Sequence, residues 1–141
     1  MRPMTRERAL EFLNEGTRTG NVATVRADGR PHVVPVWFIV EDDDVLFTTW
    51  HTSVKAQNLA LQGRAAMSVD MPEPPYAYLL VEGTVTVIDD PDESRRVATA
   101  AGARYMGSDR AAEFGDRNGV SGELVVRLHI DHFVGADNMT G

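Results

Sequence analysis

The 141-residue sequence predicts a mainly β fold of the α+β type, an antiparallel β-barrel with peripheral helices. Three observations carry this. Six or seven segments have strand composition and follow one another through hairpin-length turns. Two or three further segments carry helix caps and an apolar stripe. No internal repeat, linker or low-complexity stretch divides the chain, and one domain of this length can bury a core without staples.

The elements follow in order. Thr5 caps a first helix that runs to about Glu15, with Ala9, Leu10 and Leu13 on one face and Gly16 ending it. Residues 21–27 form a strand, and Asp28-Gly29 is a two-residue hairpin signal. The return strand, 32–40, is a continuous apolar run, which predicts burial on both faces. Pro35 within it marks an edge, a bulge or a place where a ligand replaces the partner strand. An acidic turn at 41–44 leads to a third strand, 45–49. Thr52 or Ser53 caps a helix ending at Gly63. A fourth strand spans 65–71, and Pro72 to Pro75 is a rigid loop. Tyr76 to Ile88 is one long strand, or two bent at Gly83. Asp90, Pro91 and Glu93 open a helix to about Ala103. Residues 104–122 read as a loop with a short helix, and 123–130 as a final strand before an irregular tail.

Composition excludes several function classes. The net charge is −7 and no basic run is present, so clustered phosphate contacts to nucleic acid are not expected. No apolar run approaches the roughly 18 residues of a membrane helix, and the N-terminus has no signal core. A cytoplasmic protein is expected. There is no cysteine, and His32, His51, His129 and His132 match no metal-binding spacing, so no metal is expected. Neither a nucleophile elbow nor a Walker phosphate loop is present.

Thirteen of the 14 basic residues are arginine; Lys55 is the sole lysine. It falls in the first turn of the helix that follows Phe47-Thr48-Thr49-Trp50. Exposed N–H groups and the positive end of the helix dipole make such a terminus an anion site. A cation there opposes the dipole unless an anion is to be bound, and a compact ammonium suits a phosphate. Thr48, Thr49 and Ser53 offer hydroxyls nearby. The run Val34-Pro35-Val36-Trp37-Phe38 offers an apolar floor and a Pro-interrupted backbone edge for a flat ring, although taken alone Trp37 reads as a core residue.

Three blocks carry a family resemblance: T-x-x-G-x-x-A-T-V-x-x-D-G-x-P-H-x-x-P-V-W-F (17–38), F-T-T-x-x-x-S-x-K-x-x-N-L (47–59) and V-x-G-x-V (81–85). Their order and spacing resemble the pyridoxamine 5'-phosphate oxidase-like split β-barrels, an FMN-binding type of fold, over about residues 5–137. The short chain, the VPVWF strand and the PEPPYAY stretch are similar to actinobacterial members that bind the deazaflavin coenzyme F420. The resemblance implies a homodimer with cofactor sites at the interface. It places Lys55 on the cofactor phosphate, with Thr48, Thr49, Trp50 and Ser53 beside it and Asn58 supporting that loop. Val34, Pro35, Val36 and Trp37 would line the ring. The partner subunit would close the site with its 76–80 strand, including Tyr78, or its 104–107 loop, including Arg104. Arg18, Arg64 or Arg104 would assist with the cofactor tail. The C-terminal basic residues of the true oxidases are missing, which argues against vitamin B6 oxidation. The implied activity is hydride transfer from reduced F420 to a small unsaturated substrate. An FMN oxidoreductase and a non-catalytic cofactor or tetrapyrrole binder are the alternatives. Catalytic residues are not assigned; Tyr76, Tyr78 and His51 are candidate proton donors by polarity alone.

Overall fold

The computed structural model describes residues 1–141 as nine strands and four α-helices. The strands are β1 (Arg2–Pro3), β2 (Gly20–Val25), β3 (Pro31–Val36), β4 (Ile39–Glu41), β5 (Asp44–Trp50), β6 (Arg64–Met71), β7 (Ala77–Ile88), β8 (Glu123–His129) and β9 (His132–Asp137). The helices are α1 (Arg6–Asn14), α2 (Val54–Gln62), α3 (Pro91–Met106) and α4 (Ala111–Asn118). Every strand pairing is antiparallel. The sheet runs β3-β2-β6-β7-β8-β5-β4, with β9 beside β7 and β1 beside β9. Its two ends do not pair, so the curled sheet is a split half-barrel.

β7 is a single strand that serves both halves. Residues 78–82 pair with β9, whereas Val85 to Ile88 pair with β8. The change of partner falls at Gly83. A Cβ there would lie 1.8 Å from the His129 carbonyl oxygen, so only glycine lets the chains cross this closely.

Four expectations need correction. The apolar run 32–40 is not one strand buried on both faces. β3 is an edge strand whose Pro31, Val33 and Pro35 point outward and are exposed. An edge tolerates both prolines because it leaves alternate N–H groups unpaired. The strand stops at Val36, and Ile39–Glu41 pairs instead with β5 through a turn in which Asp42 and Asp43 take positive φ. Second, residues 104–106 are not loop but the last turn of α3, and α4 follows after a single 3₁₀ turn at Ser108–Arg110. Third, the tail is not irregular: β9 pairs with β7 across residues 132–136. Fourth, the buried stripe of α1 is Ala9, Phe12 and Leu13, with Leu10 only at its margin. Phe12 and Leu13 are each fully buried, worth roughly 1.5–3 kcal/mol apiece.

The larger core fills the barrel, centred on Phe38, Phe47, Met67, Leu79 and Leu128. A smaller cluster of Ile39, Leu46, Val97, Ala101 and Val125 fixes α3 against β4, β5 and β8. No helix is long and apolar enough to cross a membrane.

Candidate functional site

α2 begins where β5 ends. Ser53 is its N-cap, and its Oγ accepts a hydrogen bond from the Ala56 N–H at 3.2 Å. The same Oγ lies 2.8 Å from Thr49 Oγ1, so the two hydroxyls bond each other. Deeper in the helix, buried Asn58 donates to Thr24 Oγ1 at 3.0 Å, tying α2 to β2. This scaffold holds Lys55 in the first turn of the helix, facing inward.

Lys55 lines a cavity of about 330 Å³. Pro35, Val36 and Trp37 form one side, at the end of β3. Val97, Ala98 and Ala101 of α3 and Phe114 of α4 supply the rest of its apolar lining. The polar lining is Thr48, Lys55, Arg117, Asn118 and Glu123. Trp37 is held rigidly: it stacks on Tyr105 with centroids 5.1 Å apart and planes 6° apart, and meets Phe114 edge-on at 5.3 Å. Tyr105 is fixed in turn, its hydroxyl donating to the Arg18 carbonyl at 2.8 Å and accepting from the Phe38 N–H at 3.3 Å. Asn118 Nδ2 donates to Thr48 Oγ1 at 3.4 Å.

The electrostatics of this cavity are unusual. Burial pushes the Lys55 ammonium below its ordinary range, and Glu123 is the one charge that opposes the shift. Burial also raises the Glu123 carboxyl, against the pull of the Thr48 hydroxyl and of Lys55. Each charge is therefore incompletely compensated. The neighbouring ion pairs, Arg95–Asp116 and Arg110–Glu113, leave Arg117 out. Two cations and one carboxylate, none of them in an ion pair, thus share one space, and its net positive charge suits an anion attached to a flat ring.

Of the residues singled out from the sequence, the fold brings Pro35, Val36, Trp37, Thr48 and Lys55 to one cavity. Thr49, Ser53 and Asn58 sit behind it as the support of α2. Val34 faces the barrel side of β3 opposite Val22. Trp50 is exposed, packed against His51 and over Gly122. Tyr78 lies on the outer face of β7, opposite Asp70 and Ala136, and Tyr76 sits at the strand's entry with positive φ. The auxiliary arginines do not converge on the cavity. Arg18 is held by Glu15 and lies over the Phe12 ring at 4.4 Å, and Arg64 stands in a separate groove with Glu82 and His132. Arg104 donates to the carbonyls of Leu13 at 2.7 Å, Phe38 at 2.8 Å and Gly16 at 3.1 Å. It is a clamp within its own chain. The site residues missed from the sequence are Phe114, Arg117, Asn118 and Glu123. Three of them lie on α4, inside the stretch read as mostly loop, and nothing in the pattern of β8 distinguishes Glu123 from a solvated strand residue.

A family model described as pyridoxamine 5'-phosphate oxidase matches residues 5–133. No curated protein sequence matches the chain. Among solved structures, a conserved hypothetical protein from Mycobacterium tuberculosis is similar at 25% identity, with a TM-score of 0.84 over 96% of this chain and 86% of that one. A protein described as an F420 reductase is 28% identical, with a TM-score of 0.68 over 87% of this chain and 94% of that one. An FAD-binding protein from Mycobacterium smegmatis shares the fold at 18% identity, with a TM-score of 0.64 over 95% of this chain and 97% of that one.

Proposed function

This chain belongs to the pyridoxamine 5'-phosphate oxidase family, and on that footing we propose that it is an F420-dependent oxidoreductase. It holds the deazaflavin by its phosphate at Lys55 and passes hydride to a small unsaturated organic substrate. The observation that carries the reading is Lys55 itself: the chain's only lysine, half-buried, lining a cavity walled by Trp37 and held in no ion pair. When bound, the deazaflavin supplies the hydride. The chain's own residues bind and orient. Lys55 meets the phosphate and Arg117 stands ready for the anionic tail, the part expected of Arg18, Arg64 or Arg104. Trp37, immobilised between Tyr105 and Phe114, offers a flat apolar edge for the ring, and the α3 wall excludes water.

The F420 reductase neighbour supports the choice of deazaflavin, as does the C-terminus. β9 and the residues after it, His132 to Gly141, contain no Lys or Arg that could take a substrate phosphate. A homodimer completes the reading. The outer face of β3, β2, β6, β7 and β9 is covered by no helix, and it runs directly into the Pro35–Trp37 side of the cavity.

Calorimetry with F420 and FMN tests the proposal. F420 should bind at least about tenfold more tightly, a difference of roughly 1.4 kcal/mol. Lys55→Ala should weaken that binding by about 1.5–3 kcal/mol, the range for a lost charge-assisted hydrogen bond. Undiminished binding by Lys55→Ala would remove the phosphate assignment. Stoichiometric FMN in the purified protein, with no response to F420, would favour a flavin oxidoreductase instead.

A further inference from the structure

Lys55 does not face a purely basic pocket. Glu123, the first residue of β8, shares the cavity with it. Each element around the carboxyl contributes a group. Lys55 comes from α2, Thr48 from β5, and Arg117 and Asn118 from α4. On the α3 side Ser94 Oγ donates to the Glu123 backbone carbonyl at 2.7 Å. The titratable groups of the cavity are therefore Lys55, Arg117 and Glu123 alone. A carboxylate at this position and an entering phosphate are like charges that compete for one ammonium inside one half-buried cavity.

We propose that the Lys55 cavity takes up its anion together with a proton, which Glu123 accepts from solvent as the phosphate is seated on Lys55. The inference rests on the phosphate reading above. Only one proton moves: an O–H bond forms on the carboxylate as a bond to hydrogen breaks in hydronium or a buffer acid, and no bond between heavy atoms changes. Burial already holds Glu123 above the ordinary carboxylate range, so only a further push is needed to neutralise it. The linkage is reciprocal: the anion stabilises the protonated carboxyl by as much as protonation favours the anion.

The sign follows. Because binding consumes a proton, affinity is greatest at low pH. It falls as pH rises from the Glu123 pKa of the free protein towards the higher value it takes in the complex. The effect is larger for a phosphomonoester, which carries roughly −1.5 to −2 charges at pH 7, than for a singly charged diester. Glu123 thereby selects for the deazaflavin, whose phosphate is esterified on both sides, and against FMN.

Calorimetric titration of the full chain with F420 and with FMN, between pH 6 and 8 in buffers of different ionisation enthalpy, counts the protons. The ligands' own titrations are common to wild type and Glu123→Gln and cancel in the difference. Wild type should take up as much as one proton more than Glu123→Gln. The variant should lose most of the pH slope and bind FMN at pH 8 at least about tenfold more tightly than wild type. Equal proton uptake in the two proteins, or weaker binding by Glu123→Gln at every pH, overturns the inference. Lys55→Met separates the two levels. If it abolishes binding while Glu123→Gln matches wild type throughout, the inference falls alone. If it leaves binding intact, or if wild type binds neither cofactor, the phosphate reading falls and this inference with it.

Discussion

Lys55 and Arg104 are both half-buried cations, and their surroundings give them opposite roles. Arg104 has three backbone carbonyls within 3.1 Å, drawn from the end of α1, the turn after it and the break between β3 and β4. Its guanidinium also lies 4.7 Å above the Phe38 ring. These contacts join three segments that no sheet pairing connects directly. Lys55 has no such partners, and its ammonium is left for a ligand. Arg104→Met should therefore destabilise the fold by about 3 kcal/mol, since hydrogen bonds to a charged group contribute roughly 1.5–3 kcal/mol each and lost carbonyl partners cost more. Cofactor affinity of the folded fraction should stay within about twofold of wild type. Urea unfolding read beside a binding titration measures both; a variant of native stability with weakened binding would return Arg104 to the cofactor. In the sequence the two residues look alike, as basic groups that could serve a phosphate. Lys55 is legible there because a lone lysine after a helix cap is anomalous among arginines. The role of Arg104 depends on where residues 13, 16 and 38 end up, and local pattern carries no such information.

At the scale of elements, the hairpin β2–β3, the cap and length of α2, and the strands β5, β6 and β7 are all legible in the sequence, because each is specified by its own turn or cap residues. Ser53 rather than Thr52 is the cap, and Gly63 closes α2 in the left-handed conformation. The elements that local pattern misses depend on tertiary contacts. α4 has eight residues and no side-chain cap, and it is helical because Gly115 and Phe114 pack against Thr99 and Gly102 of α3. β9 contains Gly135 and weakly alternating residues, and is held as a strand by β7. The break at Trp37 is hidden because the residues after β3 stay apolar while the chain leaves one half of the barrel for the other. Gly83 reads from the sequence only as a possible bend, but its position in the fold is far more restrictive. There β7 passes the His129 carbonyl so closely that any side chain must displace β8. Gly83→Ala should cost about 3 kcal/mol, the upper part of the range for overpacking. It should also loosen β8, which pairs with β5 beside the cavity residue Thr48, and so weaken cofactor binding beyond the stability loss. Thermal melts with and without cofactor check this; a variant as stable as wild type would mean that the crossing can widen freely.

For the whole molecule, the distribution of helices leaves one face of the sheet bare. α1 packs near β4 and β9, α2 beneath β2, β5 and β7, and α3 with α4 over β5 and β8. Nothing covers the outward side chains of the five strands from β3 to β9. Cross-strand register aligns Pro35, Asn21, Ser68, Leu80 and Val134 in one row, and Val33, Ala23, Ala66, Glu82 and His132 in the next. Val33 is 66% exposed and Val134 53%, values at odds with isolated β-branched residues on an otherwise small-residue surface. A flat face of this kind, uncharged along β3 and β2 and charged at Arg64, Asp70 and Glu82 beyond them, suits a second copy of the same face, since closed two-fold dimers are the commonest assembly. Its β3 margin continues into Pro35, Val36 and Trp37, so a partner seated there would stand at the mouth of the Lys55 cavity. The chain should sediment at about twice its monomer mass at micromolar concentration. Val33→Glu, which would set an unpaired carboxylate against the partner on the β3 side of that contact, should weaken dimerisation by at least about 1.4–2.8 kcal/mol, ten- to hundredfold. Cofactor affinity should fall in step with the loss of dimer as protein is diluted, because the partner would close the mouth of each cavity. Sedimentation velocity and fluorescence titration over one dilution series follow both quantities together. A Val33→Glu monomer that binds cofactor like wild type would confine the site to a single chain.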